Sequence, residues 1–308
     1  MRKIYGIGET VYDIIFKDEA PQAAKPGGSV LNAMVSLGRT GLPVSFISEY
    51  GKDDVGSLID NFLKTNGIDT SCAYRYDDAN TSLALAFLDD KNDAHYTFHK
   101  DFPEKRLDIE FPHLKREDIL LCGSFYAVWS EIRPKFLEFI RSAADSGALV
   151  LYDPNFRKSH VSELDILRPL IIENMQIASI VRGSDEDFRN IFGVYSAAEA
   201  WKIIRNYCSC LVYTASADGV FVRTDSFSGD FPVKKIKPVS TIGAGDNFNA
   251  GMVAAIYNNG INREDLSRIG EEQWRKIVSS GVEFATEVCL SYENYISKEF
   301  AAKFKPDS

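Results

Sequence analysis

Apolar positions along this chain follow two rhythms. Short unbroken runs, from Ile4 to Gly8, Val44 to Ile47, Ile119 to Phe125, Ala148 to Tyr152 and Leu211 to Thr214, read as buried strands. Between them apolar residues recur every three or four positions: Val30, Met34 and Leu37, then Val55, Leu58, Ile59 and Phe62 up to Asn66-Gly67. The same spacing predicts helices from about Glu131 to Ser146, Leu164 to Met175 and Ala197 to Tyr207. Strands alternating with helices in this way give an α/β fold, a mostly parallel central sheet flanked by helices.

Two stretches break the alternation. Val11 to Phe16 is an apolar run with no helix before Gly27, and Leu83 to Leu88 with His95 to Phe98 reads as a hairpin joined by residues 89–93. Together these excursions are expected to form a small antiparallel sheet that projects from the core. It reads as a lid or as a dimer surface, and the two roles are compatible.

The candidate chemistry lies late in the chain, in Ser240 to Gly251, STIGAGDNFNAG. Gly243, Ala244 and Gly245 have little or no side chain, so their N–H groups are able to converge on an anion where a helix begins. Phe248, Met252, Ala255 and Ile256 recur at helical spacing behind them and Asn258-Asn259-Gly260 supplies a stop, so Asp246 falls in the first turn. There a carboxylate is placed to act as a base, and it also balances the helix dipole as any first-turn acid does. The loop is not a Walker A loop, because Asp246 and Asn247 stand where Lys and Ser or Thr are needed. A dinucleotide fingerprint would need a third glycine where Phe248 stands, and Gly6-Ile7-Gly8 lacks its third glycine too.

Composition narrows the classes. A formal charge of −9 with scattered Lys and Arg would repel a phosphate backbone, so nucleic acid is not an expected partner. Five cysteines, only Cys208 and Cys210 of them close together, read as reduced thiols rather than a disulfide framework or a zinc half-site. The apolar part of the first eight residues is too short for a signal peptide and no stretch approaches a membrane span, so the expected location is cytoplasmic.

Five motifs then occur in order: Gly6-Ile7-Gly8-Glu9 with Asp13, Gly27-Gly28 with Asn32, Gly51-Lys52-Asp53-Asp54-Val55-Gly56, Asp153-Pro154-Asn155 with Arg157, and Gly243-Ala244-Gly245-Asp246. In that order, and over nearly the whole chain, they resemble the ribokinase-like, or PfkB, carbohydrate kinase family. The branch most similar is that of the fructokinases and 2-keto-3-deoxygluconate kinases. The resemblance implies one ribokinase-like kinase domain over residues 1–308, with lid excursions at about 10–26 and 72–103, and phosphorylation of a sugar hydroxyl by Mg-ATP. Asp246 would be the catalytic base, and Gly243, Ala244 and Gly245 the anion hole. Asp13, Gly27, Gly28 and Asn32 would surround the sugar, with Lys100 and Arg157 nearby. Ser184, Thr214, Gly219 and Thr286 would lie toward the nucleotide and Asp187 toward the metal. Ribose, a nucleoside or 2-keto-3-deoxygluconate stand as alternative acceptors, and a sensor that binds sugar or nucleotide without catalysis as the rival class.

The chain also departs from the family pattern. Lys100 replaces an Arg, losing the bidentate grip on a carboxylate and favouring a neutral sugar. Ser184-Asp185-Glu186-Asp187 replaces Asn-x-x-Glu, and the Gly-rich nucleotide segment reads Thr214-Ala215-Ser216-Ala217-Asp218-Gly219. Ser240 replaces an Asp beside the monovalent-cation loop, which leaves any potassium site to backbone carbonyls.

Overall fold

The computed structural model describes residues 1–89 and 94–304; of the expected hairpin connection, residues 90–93 lie outside the described residues. In chain order the strands are β1 (Ile4–Ile7), β2 (Val11–Lys17), β3 (Ala20–Gly27), β4 (Val44–Gly51), β5 (Ile68–Asp69), β6 (Ala73–Tyr76), β7 (Leu83–Leu88), β8 (Ala94–His99), β9 (Ile119–Gly123), β10 (Leu149–Asp153), β11 (Ile180–Ser184), β12 (Cys210–Thr214), β13 (Val220–Thr224) and β14 (Ser228–Phe231). The helices are α1 (Ser29–Arg39), α2 (Asp54–Thr65), α3 (Arg133–Asp145), α4 (Leu164–Ile177), α5 (Asp185–Phe192), α6 (Ala197–Ile204), α7 (Ala244–Asn258), α8 (Glu271–Cys289) and α9 (Lys298–Ala301).

The large sheet runs β14-β13-β12-β11-β10-β9-β1-β4-β5, with β6 also paired to β4. It is parallel from β12 to β5 and antiparallel only where β13 and β14 are added at one edge. Every residue of β1, β4, β9 and β10 is buried, as expected of strands covered on both faces. One face packs on α1, α7 and α8 through Leu31, Met34, Phe248, Met252 and Trp274, and the other on α3 to α6 through Phe136, Ile140, Ile171, Phe188 and Ile204.

The second sheet has the order β3-β2-β7-β8; its outer pairs are antiparallel and its central pair, β2 with β7, is parallel. Asp53 fastens this sheet to the core. Its carboxylate accepts from Gly56 N (2.7 Å), capping α2, and from Thr81 N and Oγ1 (both 2.7 Å) just before β7. At the same end of the sheet, just after β8, Lys100 Nζ meets Glu9 Oε1, beyond β1, at 2.5 Å. The Lys100 ammonium also lies 4.6 Å from the centre of the Trp129 ring, against which Arg106 packs at 4.7 Å.

Candidate active site

The chain leaves β1 toward β4 on one side and returns to β9 on the other, so the carboxyl ends of β1 and β9 flank a topological switch point. A pocket opens there, lined among others by Ser29, Gly123, Ser124, Asp153, Asn155 and Asp246. The side chains come from the ends of several strands and from the first turns of α1 and α7, which converge because parallel strands all end on one edge of the sheet.

Asp246 is brought there by the loop before α7. Gly243 caps the helix with φ of 76°, a left-handed conformation suited to glycine, and a Cβ on it would stand 2.8 Å from the Asn294 carbonyl oxygen. Ala244 N already donates to Thr241 O at 3.3 Å, whereas the N–H groups of Gly245 and Asp246 have no acceptor among the described residues. Those two are the orphan donors of a helix start. Asp246 itself is 6% exposed. Its Oδ2 accepts from Asn32 Nδ2 at 2.9 Å and its Oδ1 from Asn155 Nδ2 at 3.3 Å. Burial pushes its carboxyl up to about 6, with Asp153 adding to the rise and the Asn32 hydrogen bond, Arg157 and Arg182 opposing it. A carboxylate held at that value is a base at neutral pH.

Arg182 has no counterpart in the sequence reading. It interrupts an otherwise apolar β11, is 6% exposed, and donates Nη1 to Asp153 Oδ2 (2.7 Å) and Nη2 to Thr214 Oγ1 (2.8 Å). Asp153 Oδ2 also accepts from Asn249 Nδ2 at 2.7 Å. A Cβ added to Gly245 would lie 3.0 Å from Arg182 Nη1, so the guanidinium sits directly against the candidate anion hole. The signal available in sequence was a lone charge inside a buried strand, since such charges persist only when paired. Asn249 was legible as the residue three places after Asp246 on one helix face, and Asn155 as part of the DPN motif.

On the side facing the small sheet, Asp13 lies on β2 with its carboxylate against Gly27, whose Cβ would fall 2.0 Å from Asp13 Oδ2. Only glycine leaves room for that approach. Burial pushes Asp13 up to about 7, Lys25 across the β2–β3 pair pulling it down and Glu9 adding to the rise. Gly28, with φ of 138°, opens α1 and its Cβ would stand 2.2 Å from Glu9 O. Asn32, one turn into α1, bonds directly to Asp246, and its own Oδ1 is buried with no partner. Arg157 is exposed beside Asn155. Lys100, expected to face the sugar, is instead engaged by Glu9 and the Trp129 ring.

On the opposite side, Ser184 and Thr214 end β11 and β12 in register, and Gly219 closes the turn that follows with φ of 118°. Thr286 is half-buried in α8, one turn before Cys289, whose carbonyl accepts from Val239 and Ser240 of the loop leading to α7. Asp187, expected toward the metal, is engaged by the protein itself. Its Oδ2 accepts from Ser184 N (2.6 Å) and Ser184 Oγ (2.7 Å) in a capping box on α5, and its Oδ1 accepts from Phe156 N at 2.6 Å. A carboxylate 5% exposed and tied to two backbone amides braces the turn after β10 instead of reaching outward. Among the described residues no three His, Cys, Asp or Glu side chains gather to hold a metal ion.

Residues 1–299 match the profile of the pfkB family carbohydrate kinases. The fructokinase of Escherichia coli is 25% identical over 281 residues, spanning 90% of this chain and 89% of that protein. In fold the chain is similar to aminoimidazole riboside kinase of Salmonella enterica, solved with aminoimidazole riboside and an ATP analogue (TM-score 0.84, 20% identity, 98% of each chain). It is also similar to a double mutant of Vibrio cholerae fructokinase solved with fructose, ADP and potassium ion (TM-score 0.80, 21% identity, 96% of this chain and 94% of that one).

Proposed function

We propose, for a chain that belongs to the pfkB family of carbohydrate kinases, that Mg-ATP is the donor, a small neutral sugar the acceptor, and fructose the first candidate. The observation that carries this reading is Asp246 buried at the pocket floor, held by Asn32 and Asn155, next to the unbonded N–H groups of Gly245 and Asp246. The Asp246 carboxylate takes the proton of the acceptor hydroxyl as its oxygen bonds to the γ-phosphorus and the bond to the ADP oxygen breaks. Negative charge on the transferring phosphoryl is met by the unbonded N–H groups of Gly245 and Asp246 and by Arg182 beside Gly245. Asp13 and the orphaned Asn32 Oδ1 supply acceptors for sugar hydroxyls.

A neutral acceptor is favoured over an aldonic acid because Glu9 already neutralises the Lys100 ammonium at 2.5 Å. The relatives named as fructokinases point to a hexose, whereas the riboside kinase keeps a nucleoside in play. The deciding experiment is turnover with Mg-ATP over a panel of fructose, ribose, 2-keto-3-deoxygluconate and a nucleoside. Fructose is expected to give the highest kcat/KM, and ADP release with none of the four would sink the kinase reading in favour of a binding-only protein.

The small sheet doubles as a lid and a contact between two copies in this reading. Its register pairs Ile14 with Leu85 and Phe16 with Phe87, whose rings stack at 5.0 Å on the face opposite Asp13 and Ala84. Phe87 is 44% exposed there. A homodimer is expected in sedimentation equilibrium, and Phe87→Asp is expected to shift it to monomer; a monomeric parent chain would remove this assignment. The five cysteines are all unpaired, which suits a reducing cytoplasm, and no helix of the described residues is long and apolar enough to cross a membrane.

A further inference from the structure

The loop leading into α7 is fastened to a second loop, residues 289–296. Val239 N and Ser240 N both donate to Cys289 O (2.8 and 3.3 Å), and Asn247 Nδ2 bridges Gly243 O (2.8 Å) and Asn294 O (2.7 Å). Into this second loop reaches a side chain from the small sheet: Lys25 Nζ donates to Tyr292 O at 2.7 Å. Lys25 is not a freely solvated lysine. Burial lowers its pKa, with Glu293 and Asp13 counteracting, and its register partner on β2 is Asp13.

A monovalent metal cation, which the family resemblance places beside this loop, needs several carbonyl or carboxylate oxygens to replace its hydration shell. The residues here do not fit one. Ser240 brings no negative charge, and its hydroxyl is used to accept from Ile242 N at 3.2 Å. The carbonyls of Gly243, Cys289, Tyr292 and Asn294 each accept a protein donor already. Gly243 O and Cys289 O each accept two donors, and although Tyr292 O and Asn294 O each keep a second lone pair, an ammonium bonded to Tyr292 O repels any second cation placed among them.

Resting on the kinase reading above, we propose that Lys25 is the built-in cation of the phosphate-binding loop, so that phosphoryl transfer by this chain needs no monovalent metal ion. Lys25 is a positioning residue: it holds the 289–296 loop, which in turn holds Gly243 at the start of α7. Because Lys25 belongs to β3, the charge also ties the small sheet to that loop.

The test compares initial rates in potassium, sodium and tetramethylammonium chloride at one ionic strength. Equal rates are expected, and loss of activity in tetramethylammonium would overturn the proposal. Lys25→Met is expected to lose about tenfold or more in kcat in every salt lacking a small cation, with part regained in potassium, while Lys25→Arg stays near the parent. A Lys25→Met chain as active as the parent in tetramethylammonium would also overturn it. Melting temperature supplies a reading independent of turnover: the parent is expected to melt alike in the three salts, and specific stabilisation by potassium contradicts the claim. Absence of turnover on any acceptor would count against the kinase reading, and the melting comparison would still decide the role of Lys25.

Discussion

Asp246→Asn is expected to lower kcat by about 10³-fold, with the KM values for sugar and ATP changing far less, because an amide keeps the shape of the carboxylate but cannot take a proton. The parent activity should carry the signature of the same group. Burial pushes the Asp246 carboxyl to about 6, so kcat/KM is expected to fall as pH drops through that value and the base becomes protonated. Stability should respond in the opposite sense. A carboxyl whose folded pKa lies above its ordinary value of 3.8 stabilises the fold below that value, and the contribution is lost as pH rises through about 6. At pH 8 the parent therefore keeps a buried ionised group at a cost that Asp246→Asn removes, and the variant is expected to melt no lower than the parent there. Undiminished turnover by the variant, or collapse of its fold, would reject the assignment of Asp246 as the base.

Arg182→Met is expected to have the largest effect on stability. It leaves the Asp153 carboxylate in a buried site with one of its two Oδ2 donors gone, and breaking a buried pair in this way costs about 3–5 kcal/mol. For a domain of this size that corresponds to a melting temperature lower by on the order of 10 °C. Because the guanidinium also rests against Gly245, kcat is expected to fall by about 10²-fold even at temperatures where the variant is folded. Arg182→Lys separates the two effects: it keeps the charge but not a fork that reaches both Asp153 and Thr214. Recovery of stability without recovery of kcat would show that the forked geometry matters to the reaction. A kcat unchanged in Arg182→Met would remove Arg182 from it.

What was legible in the sequence follows from how strongly each segment's pattern was forced. The run from Leu83 to Leu88 is β7 residue for residue, and the helix stop at Asn258-Asn259-Gly260 coincides with the end of α7. Strand β3 was not anticipated, because its sequence, APQAAKPG, has two prolines and no β-branched residue. Proline is tolerated there since β3 is the edge strand of its sheet. Helix α5 was hidden for a different reason: Ser184 to Asp187 was read as a ligand-binding motif, while the spacing Ser-x-x-Asp is also that of a capping box, which is how the structure uses it. Leu58, counted in the apolar stripe of α2, is 54% exposed, so that stripe is narrower than its periodicity suggested.

The candidate site was legible only as separate motifs. Asp246 and Asn32 were assigned to base and sugar respectively from segments 214 positions apart, and the structure joins them by a direct hydrogen bond. Arg182 escaped because its meaning depends on Asp153, Thr214 and Gly245, three partners on three other segments that no local pattern connects. The bonds of Asp187 were not legible because an acid in the sequence says nothing about which donors its oxygens meet once the neighbouring turn is built.

The clamp formed by Asn247 on Gly243 O and Asn294 O has a further effect on how the molecule matures. During synthesis the sheet and α1 to α6 are available to pack early, yet the turn that orients Asp246 has no anchor until the stretch around Asn294 has emerged and docked. Ser36 adds to this dependence, since its hydroxyl accepts from Ile296 N and so links the first helix to the last-arriving loop. A nascent or clipped chain lacking that stretch would lose both this clamp and the buried Tyr295 and Ile296 that seat it in the core.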